Sequence, residues 1–166
     1  MFDVSPERLV EVFDRHGVDY LIVGGVAARA YGARRETKDF DCLVRRVRAN
    51  LERLAAAMRE LQARLRVEGL SDAEAAFLPV QIDAVTLNAI EISTWRTDAG
   101  DLDVLVDIPG RDGERRMYED LAANSRSLDY AGIAVRVAGL SDIIASKEWL
   151  RVTGSFGAIR AAPDIL

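Results

Sequence analysis

Gly24-Gly25 and Arg35-Glu36-Thr37-Lys38-Asp39-Phe40-Asp41-Cys42-Leu43-Val44 are the two stretches that decide the fold of this chain. The first follows an apolar run, and the second places two aspartates two positions apart at the head of another apolar run. Glycines allow a backbone to approach phosphates closely, and carboxylates bind the divalent cations that accompany phosphates. The combination is typical of a site where metal ions and phosphate groups meet.

Local patterns around these stretches predict helices and strands in alternation. A helix starts at residues 5–7, with the Ser5 hydroxyl as its cap, and stops at Gly17. Further helices are predicted over 26–31, 47–66, 114–123 and 141–152, a capping box over 71–74, and strands over 20–23, 39–44, 89–95, 101–108 and 133–137. The turn at 97–100 joins two of these strands into a hairpin.

These elements predict an α/β (α+β) domain built on one mixed sheet of about four or five strands flanked by helices. The domain is expected to cover residues 1–153. Residues 154–166, which are rich in Gly and Ala, are expected to form a weakly ordered or degenerate tail.

Composition excludes several classes of protein. The chain has 166 residues, a net charge of −5, one cysteine and one histidine. One histidine leaves no zinc cluster of the usual kind and no Ser-His-Asp triad, and one cysteine leaves no internal disulfide. No apolar run approaches the roughly 20 residues that cross a bilayer, and the first residues do not resemble a signal peptide. We therefore expect a cytoplasmic protein with no membrane partner.

The charge is unevenly distributed along the chain. Although the whole chain is acidic, seven basic residues fall between positions 29 and 48, near the two aspartates. A globally acidic protein can carry a local basic face that attracts anions. We expect such a face around the aspartates, formed by Arg29, Arg34, Arg35, Lys38, Arg45, Arg46 and Arg48.

A second acidic strand supports the metal site. Side chains two apart on a strand share a face, so Asp39 and Asp41 point the same way. The run from 101 to 107 repeats the pattern, with Asp101, Asp103 and Asp107 on one face. Asp103 is the candidate third carboxylate, and Asp101 is its main competitor on that face. Three carboxylates can hold two Mg²⁺ ions, of which one activates an attacking hydroxyl and the other stabilises a leaving pyrophosphate. The third acid can also act as a base towards the acceptor hydroxyl.

Together these residues resemble a known signature. The spacing of the glycines, Tyr31-Gly32, Arg35, Thr37-Lys38, Asp39 and Asp41 is similar to that of the DNA-polymerase-β-type nucleotidyltransferase superfamily. More closely, it resembles the AbiEii-like and MenT-like nucleotidyltransferase toxins of bacterial toxin–antitoxin systems. The resemblance continues through residues 97–105, 118–121 and 135–147 and covers roughly residues 18–150.

The resemblance implies an activity and a set of roles. Members of these toxin groups transfer nucleotides from an NTP to the 3′ acceptor end of tRNA, which blocks translation, and they are paired with an antitoxin protein. Mg²⁺, or Mn²⁺ in its place, would be the cofactor. The implied metal ligands are Asp39, Asp41 and Asp103; Lys147 would join them in catalysis by facing the nucleotide phosphates; and the nucleotide-binding residues would be Gly24, Gly25, Arg35, Thr37 and Lys38.

The chain departs from the signature after the lysine-bearing helix, where the family often has an Arg-x-Lys-Asp stretch. Here the only counterpart is a degenerate one around Asp164, so completion of the site by the tail is an open question. Two alternative functions are consistent with the same carboxylates and fold. The acceptor could be a protein side chain or a small molecule such as an aminoglycoside, or the domain could be a degenerate nucleotide-binding module that serves a partner.

Overall fold

The computed structural model describes residues 5–154, so the tail and Asp164 lie outside the described part. The helices are α1 (Pro6–Arg15), α2 (Gly24–Ala30), α3 (Arg48–Glu60), α4 (Asp72–Ala75), α5 (Ala84–Ala89), α6 (Tyr118–Ala122) and α7 (Leu140–Thr153). The strands are β1 (Tyr20–Val23), β2 (Asp39–Val44), β3 (Arg64–Leu65), β4 (Ile92–Thr97), β5 (Gly100–Leu105), β6 (Asp107–Pro109), β7 (Arg115–Met117), β8 (Arg126–Tyr130) and β9 (Ile133–Val137).

Seven of these strands form one mixed sheet in the order β3-β4-β5-β2-β1-β9-β8. The central strand β2 runs parallel to β5 and antiparallel to β1, and β1 runs parallel to β9. Strands β4 and β5 form the predicted hairpin, and β6 pairs with β7 in a separate two-stranded sheet. The α+β class with a mixed sheet is confirmed, whereas the predicted number of strands was too low.

The missed strands carry weak sequence signals. β8 lies at the edge of the sheet and has no fully buried side chain, so it lacks the alternation of buried and exposed residues that marks a half-buried strand. β7 is three residues long and begins with two arginines. β3 contains only two residues and falls inside the predicted helix over 47–66.

Several predicted helix boundaries were wrong. The helix over 47–66 ends at Glu60, because Gln62 adopts a left-handed backbone with φ 52° and Ala63 donates to Met58 instead of continuing the helix. Residues 115–117 form a strand, which leaves only 118–122 of the helix predicted over 114–123. Ser5 precedes α1, but its side chain makes no capping hydrogen bond. The capping box at 71–74 is confirmed.

The two faces of the central strand β2 have different surroundings, because the aromatic core packs against only one of them. Phe13 of α1 packs edge-on against Tyr20 of β1 and against Phe40 of β2, with ring centroids 5.0 and 6.5 Å apart. Phe40 and Cys42 are fully buried on this side, as predicted for Cys42. Because side chains alternate along a strand, Asp39 and Asp41 project from the opposite face, which carries the candidate site.

No helix within residues 5–154 has the length and apolar character required to cross a membrane. The longest, α7, has 14 residues and includes charged side chains.

Candidate active site

Four aspartates form a block on one face of the sheet. The parallel pairing of β2 with β5 places Asp39 opposite Asp101 and Asp41 opposite Asp103. We call Asp41 and Asp103 the inner pair and Asp39 and Asp101 the outer pair. The sequence predicted that each strand presents its acids on one face, and the register brings two acids of each strand together.

The inner pair is the less neutralised of the two. The Asp41 and Asp103 carboxyl groups lie opposite each other in the register of β2 and β5. Burial first, and then the charge and hydrogen bond of Asp103, raise the pKa of Asp41 to about 8, although the Gly25 backbone N–H favours the charged form. Asp103 Oδ1 is buried and has no hydrogen-bond partner among the described residues. An acid pair held in this way has unused affinity for cations.

Within the outer pair, arginines neutralise Asp101. Asp101 accepts from Arg96 Nε at 2.6 Å and from Arg66 Nη1 at 2.8 Å. Burial and the nearby Asp103 and Asp101 charges raise the pKa of Asp39, while Arg66 and Lys38 oppose that shift. The ion pairs occupy Asp101, so Asp103 is the better candidate for a third metal-binding carboxylate.

The two glycines are required by close packing against this block. Gly24 has φ 65°, and a Cβ added to it would collide with the Asp41 carboxylate. A Cβ at Gly25 would lie 2.6 Å from Thr37 Oγ1, and that hydroxyl donates to the Asp39 carbonyl at 3.0 Å. Helix α2 begins at Gly24 rather than at the predicted residue 26, so both glycines lie in its first turn. The backbone of this turn is therefore held directly against the carboxylates.

A cleft of about 640 Å³ opens beside the glycine turn. This volume falls in the usual range for small-molecule sites. Lys147 of α7 is exposed and reaches the cleft from the side of the helix. Eight of the nine predicted site residues line the cleft, and Asp103 adjoins it through its hydrogen bond with Asp41; the eight are Gly24, Gly25, Arg35, Thr37, Lys38, Asp39, Asp41 and Lys147.

The predicted basic face is divided between two ends of β2. Arg35 and Lys38 line the cleft at the start of the strand. Arg45 and Arg46 follow the other end, which a strand of six residues places about 20 Å away. There Arg46 donates to the Ile90 carbonyl at 3.1 Å. Proximity in sequence therefore overstated the positive charge at the site.

A divalent cation at this site would need oxygen ligands from a bound nucleotide as well as from the protein. Within residues 5–154 no three Asp, Glu, His or Cys side chains are arranged as a ready-made metal centre. Mg²⁺ is commonly bound by one or two carboxylates together with substrate phosphates and water. The inner pair, with the unpartnered Asp103 Oδ1, supplies oxygen ligands of that kind.

Two residues near the site were not identified from the sequence. Arg96 could have been found, because the turn at 97–100 pairs Thr97 with Gly100 and therefore Arg96 with Asp101. Arg66 could not, because it follows the missed strand β3, and only the sheet order brings it to Asp101.

Comparison with known proteins identifies the fold. No family model and no curated protein matches the sequence. Among solved structures, a Thermotoga maritima protein assigned as a nucleotidyltransferase is similar to 93% of this chain over 91% of its own, with a TM-score of 0.55 and 17% identity. ANT(2″)-Ia in complex with adenylyl-2″-tobramycin is similar to 95% of this chain over 79% of its own, with a TM-score of 0.54 and 15% identity. A solution structure of the same antibiotic-resistance factor has a TM-score of 0.53 and 16% identity. The chain therefore has a nucleotidyltransferase-like fold.

Proposed function

We propose that this protein is a metal-dependent nucleotidyltransferase that uses an NTP and releases pyrophosphate. The observation that carries the proposal is the inner pair: no arginine within residues 5–154 forms an ion pair with Asp41 or Asp103, and Asp41 lines a cleft together with Gly24 and Gly25. The nucleotidyltransferase-like fold supports the same conclusion.

We assign some residues of the cleft to the NTP and others to the acceptor hydroxyl. The glycine turn allows the triphosphate to approach the backbone, and Lys147 and Arg35 line the cleft as counter-charges for phosphate. Asp41 and Asp103, with Asp39 beside them, would hold Mg²⁺, which, when bound, would neutralise phosphate charge and favour the ionised acceptor hydroxyl. The acceptor oxygen forms a bond to the α-phosphorus as the bond to the bridging oxygen of pyrophosphate breaks. The hydroxyl proton would pass to the Asp103 carboxylate, which acts as the base.

For the acceptor, we propose an RNA 3′ end, in particular the acceptor end of tRNA. Such a transfer would block translation, and the protein would act in the cytoplasm as the toxin of a pair with an antitoxin protein. This choice is supported by the resemblance of residues 18–150 to such toxins and by the basic side chains at the cleft, Arg35, Lys38 and Lys147.

An aminoglycoside-like small molecule is a second candidate acceptor. The fold likeness to ANT(2″)-Ia, whose structure holds adenylyl-2″-tobramycin, favours it. Arg35, Lys38 and Lys147 would repel a cationic aminoglycoside, but Glu36, Asp39 and Asp41 line the same cleft and balance their charge.

A transfer assay tests the proposal. Protein and Mg²⁺ are incubated with each α-labelled NTP and, in turn, total tRNA, an aminoglycoside mixture or protein alone, with Asp41→Asn as the inactive control. We expect label on tRNA that disappears in the variant. Label on the aminoglycosides or on protein would show that the acceptor is not tRNA, while the protein would still be a nucleotidyltransferase. NTP binding with no transfer to any acceptor would instead identify a degenerate nucleotide-binding module.

A further inference from the structure

The candidate site has a second cationic border, opposite the glycine turn. In the sheet, β1 lies on one side of β2 and leads into the glycine turn, whereas β5, β4 and β3 lie on the other side. The register places Asp39, Asp101, Arg96 and Arg64 in one row across β2, β5, β4 and β3. In-register side chains of neighbouring strands share a face, so this row extends from the carboxylate block to the edge of the sheet.

Asp101 orients two guanidinium groups in this row. It is mostly buried, with 16% of its side chain exposed, and it accepts from Arg96 Nε and Arg66 Nη1. Arg96 is further anchored by Asp72, which accepts from its Nη1 at 3.2 Å. Two charged partners hold Arg96 in place, and only 26% of its side chain is exposed.

Arg66 differs from Arg96 in what it leaves open to solvent. Its side chain is 45% exposed, and its contact with Asp101 uses one of the guanidinium nitrogens. Guanidinium carries five donors in a planar fork that matches the oxygens of a phosphate. A group that is fixed at one nitrogen and open at the others is preorganised to bind an anion.

The position of Arg66 places it near the acceptor rather than near the triphosphate. The glycine turn, Lys147 and Arg35 surround the cleft that we assign to the triphosphate. Arg66 lies across the carboxylate block from the glycine turn, yet close enough to oppose the rise in the pKa of Asp39. In an in-line displacement the acceptor approaches from the side opposite to the leaving pyrophosphate. Arg66 therefore borders the acceptor side of the site.

We propose that Arg66 binds a backbone phosphate of the RNA acceptor, and that Asp101 is a positioning residue that holds its guanidinium in place. The inference rests on the proposed function and makes the acceptor a polyanion. Arg64, Arg66 and Arg96 stand here against Asp39, Asp72 and Asp101, so their charges balance, and the exposed guanidinium of Arg66 is the group that we assign to the phosphate. A cationic aminoglycoside would gain nothing from this arrangement.

Binding of a single-stranded RNA tests the inference without requiring catalysis. The probe is a 5′-fluorescein-labelled oligoribonucleotide of about ten nucleotides with a free 3′ hydroxyl, followed by anisotropy over a salt series. Arg66→Ala should weaken binding about tenfold, as for loss of a charge-assisted hydrogen bond, and reduce the salt slope by about 0.7. Arg66→Lys should restore part of the affinity. Arg48→Ala, which removes an arginine with 84% side-chain exposure beside Glu52, is the matched control and should bind like the wild type.

A second readout separates this inference from the proposed function. Binding of a fluorescent NTP analogue with Mg²⁺ should be the same in wild type and Arg66→Ala, and Asp101→Asn should raise the KM for RNA while leaving the KM for NTP unchanged. Equal RNA binding by Arg66→Ala and Arg48→Ala would overturn the inference, and so would loss of NTP binding in Arg66→Ala. If the wild type binds no RNA but transfers nucleotide to an aminoglycoside, the inference fails and the enzyme class stands.

Discussion

The inner and outer pairs of aspartates occupy the same two strands, two residues apart, and yet they meet different surroundings. Asp101 of the outer pair is bound by Arg66 and Arg96. Asp41 and Asp103 of the inner pair have each other and a backbone N–H, and the pKa of Asp41 rises to about 8. Residue type and strand phase alone therefore do not distinguish a metal-binding carboxylate from a structural one. The counter-charges of the two pairs differ, and our proposed assignment of the metal rests on that difference.

The largest expected effect comes from replacing the inner pair. Asp41→Asn or Asp103→Asn removes an oxygen ligand and negative charge from the proposed metal site, so the rate of pyrophosphate release should fall about a thousandfold. Asp101→Asn keeps the inner pair and disturbs only the arginines, so its rate should fall about tenfold. Steady-state release of pyrophosphate with RNA as acceptor measures both. Similar losses in Asp103→Asn and Asp101→Asn would remove the distinction between the pairs.

The next effect comes from the glycine that packs against the inner pair. A Cβ at position 24 would strike the Asp41 carboxylate, so Gly24→Ala should displace it and lower activity about a hundredfold. Its backbone strain at φ 65° adds a loss of about 1–2 kcal/mol in the free energy of unfolding. Gly32→Ala is the matched control, because Gly32 has φ 98° and nothing within 4 Å of the added Cβ. Urea unfolding and turnover should show strain in both variants and loss of activity in Gly24→Ala alone.

A third prediction concerns pH in the metal-free protein. Folding raises the pKa of Asp41 from 3.8 to about 8, so the folded state binds more protons between these values. The stabilising contribution of this group is therefore complete below the lower value and is lost as pH rises through the upper one. Relative to Asp41→Asn, the wild type should lose stability on going from about pH 5 to about pH 8. Adding Mg²⁺ and an NTP analogue at the higher pH should reverse the loss, and a flat difference would show that the pair is not under strain.

How much of this could be read from the sequence differs between the two pairs. The alternation along 39–44 and 101–107 predicted that each strand presents its acids on one face, and the motif order pointed to the correct fold. The sequence favoured Asp103 over Asp101, but the ion pair of Asp101 with Arg66 could not be predicted, because Arg66 lies next to a two-residue strand in a segment predicted as a helix. A run of apolar residues at helical spacing does not show where a left-handed Gln62 ends the helix.

The basic face shows the opposite error. Seven basic residues within twenty positions suggested one cluster. A strand, however, extends by about 3.3 Å per residue, so residues at its two ends lie far apart. Arg45 and Arg46 therefore lie at the far end of β2, whereas Arg66, distant in sequence, reaches the carboxylate block. Residues a few positions apart stay close in a helix, which rises about 1.5 Å per residue, and lie farther apart in a strand.

The smallest expected effect comes from the third aspartate of the acidic run. Asp107 was predicted to share the face of Asp101 and Asp103, but it lies in β6 and is paired with Arg115, which also contacts Glu91. Exposed ion pairs of this kind contribute about 0–1 kcal/mol. Asp107→Asn should therefore change both turnover and stability little, by about threefold at most in rate. A large loss would extend the acidic site beyond the four aspartates.

Binding of Mn²⁺, followed by electron paramagnetic resonance in the presence of a non-hydrolysable NTP analogue, tests the central claim most directly. The spectrum reports the bound ion without requiring an acceptor. The account predicts that the wild type and Asp101→Asn bind Mn²⁺ with similar affinity and that Asp41→Asn and Asp103→Asn lose the bound signal. Retained binding in Asp103→Asn, together with loss in Asp101→Asn, would contradict it.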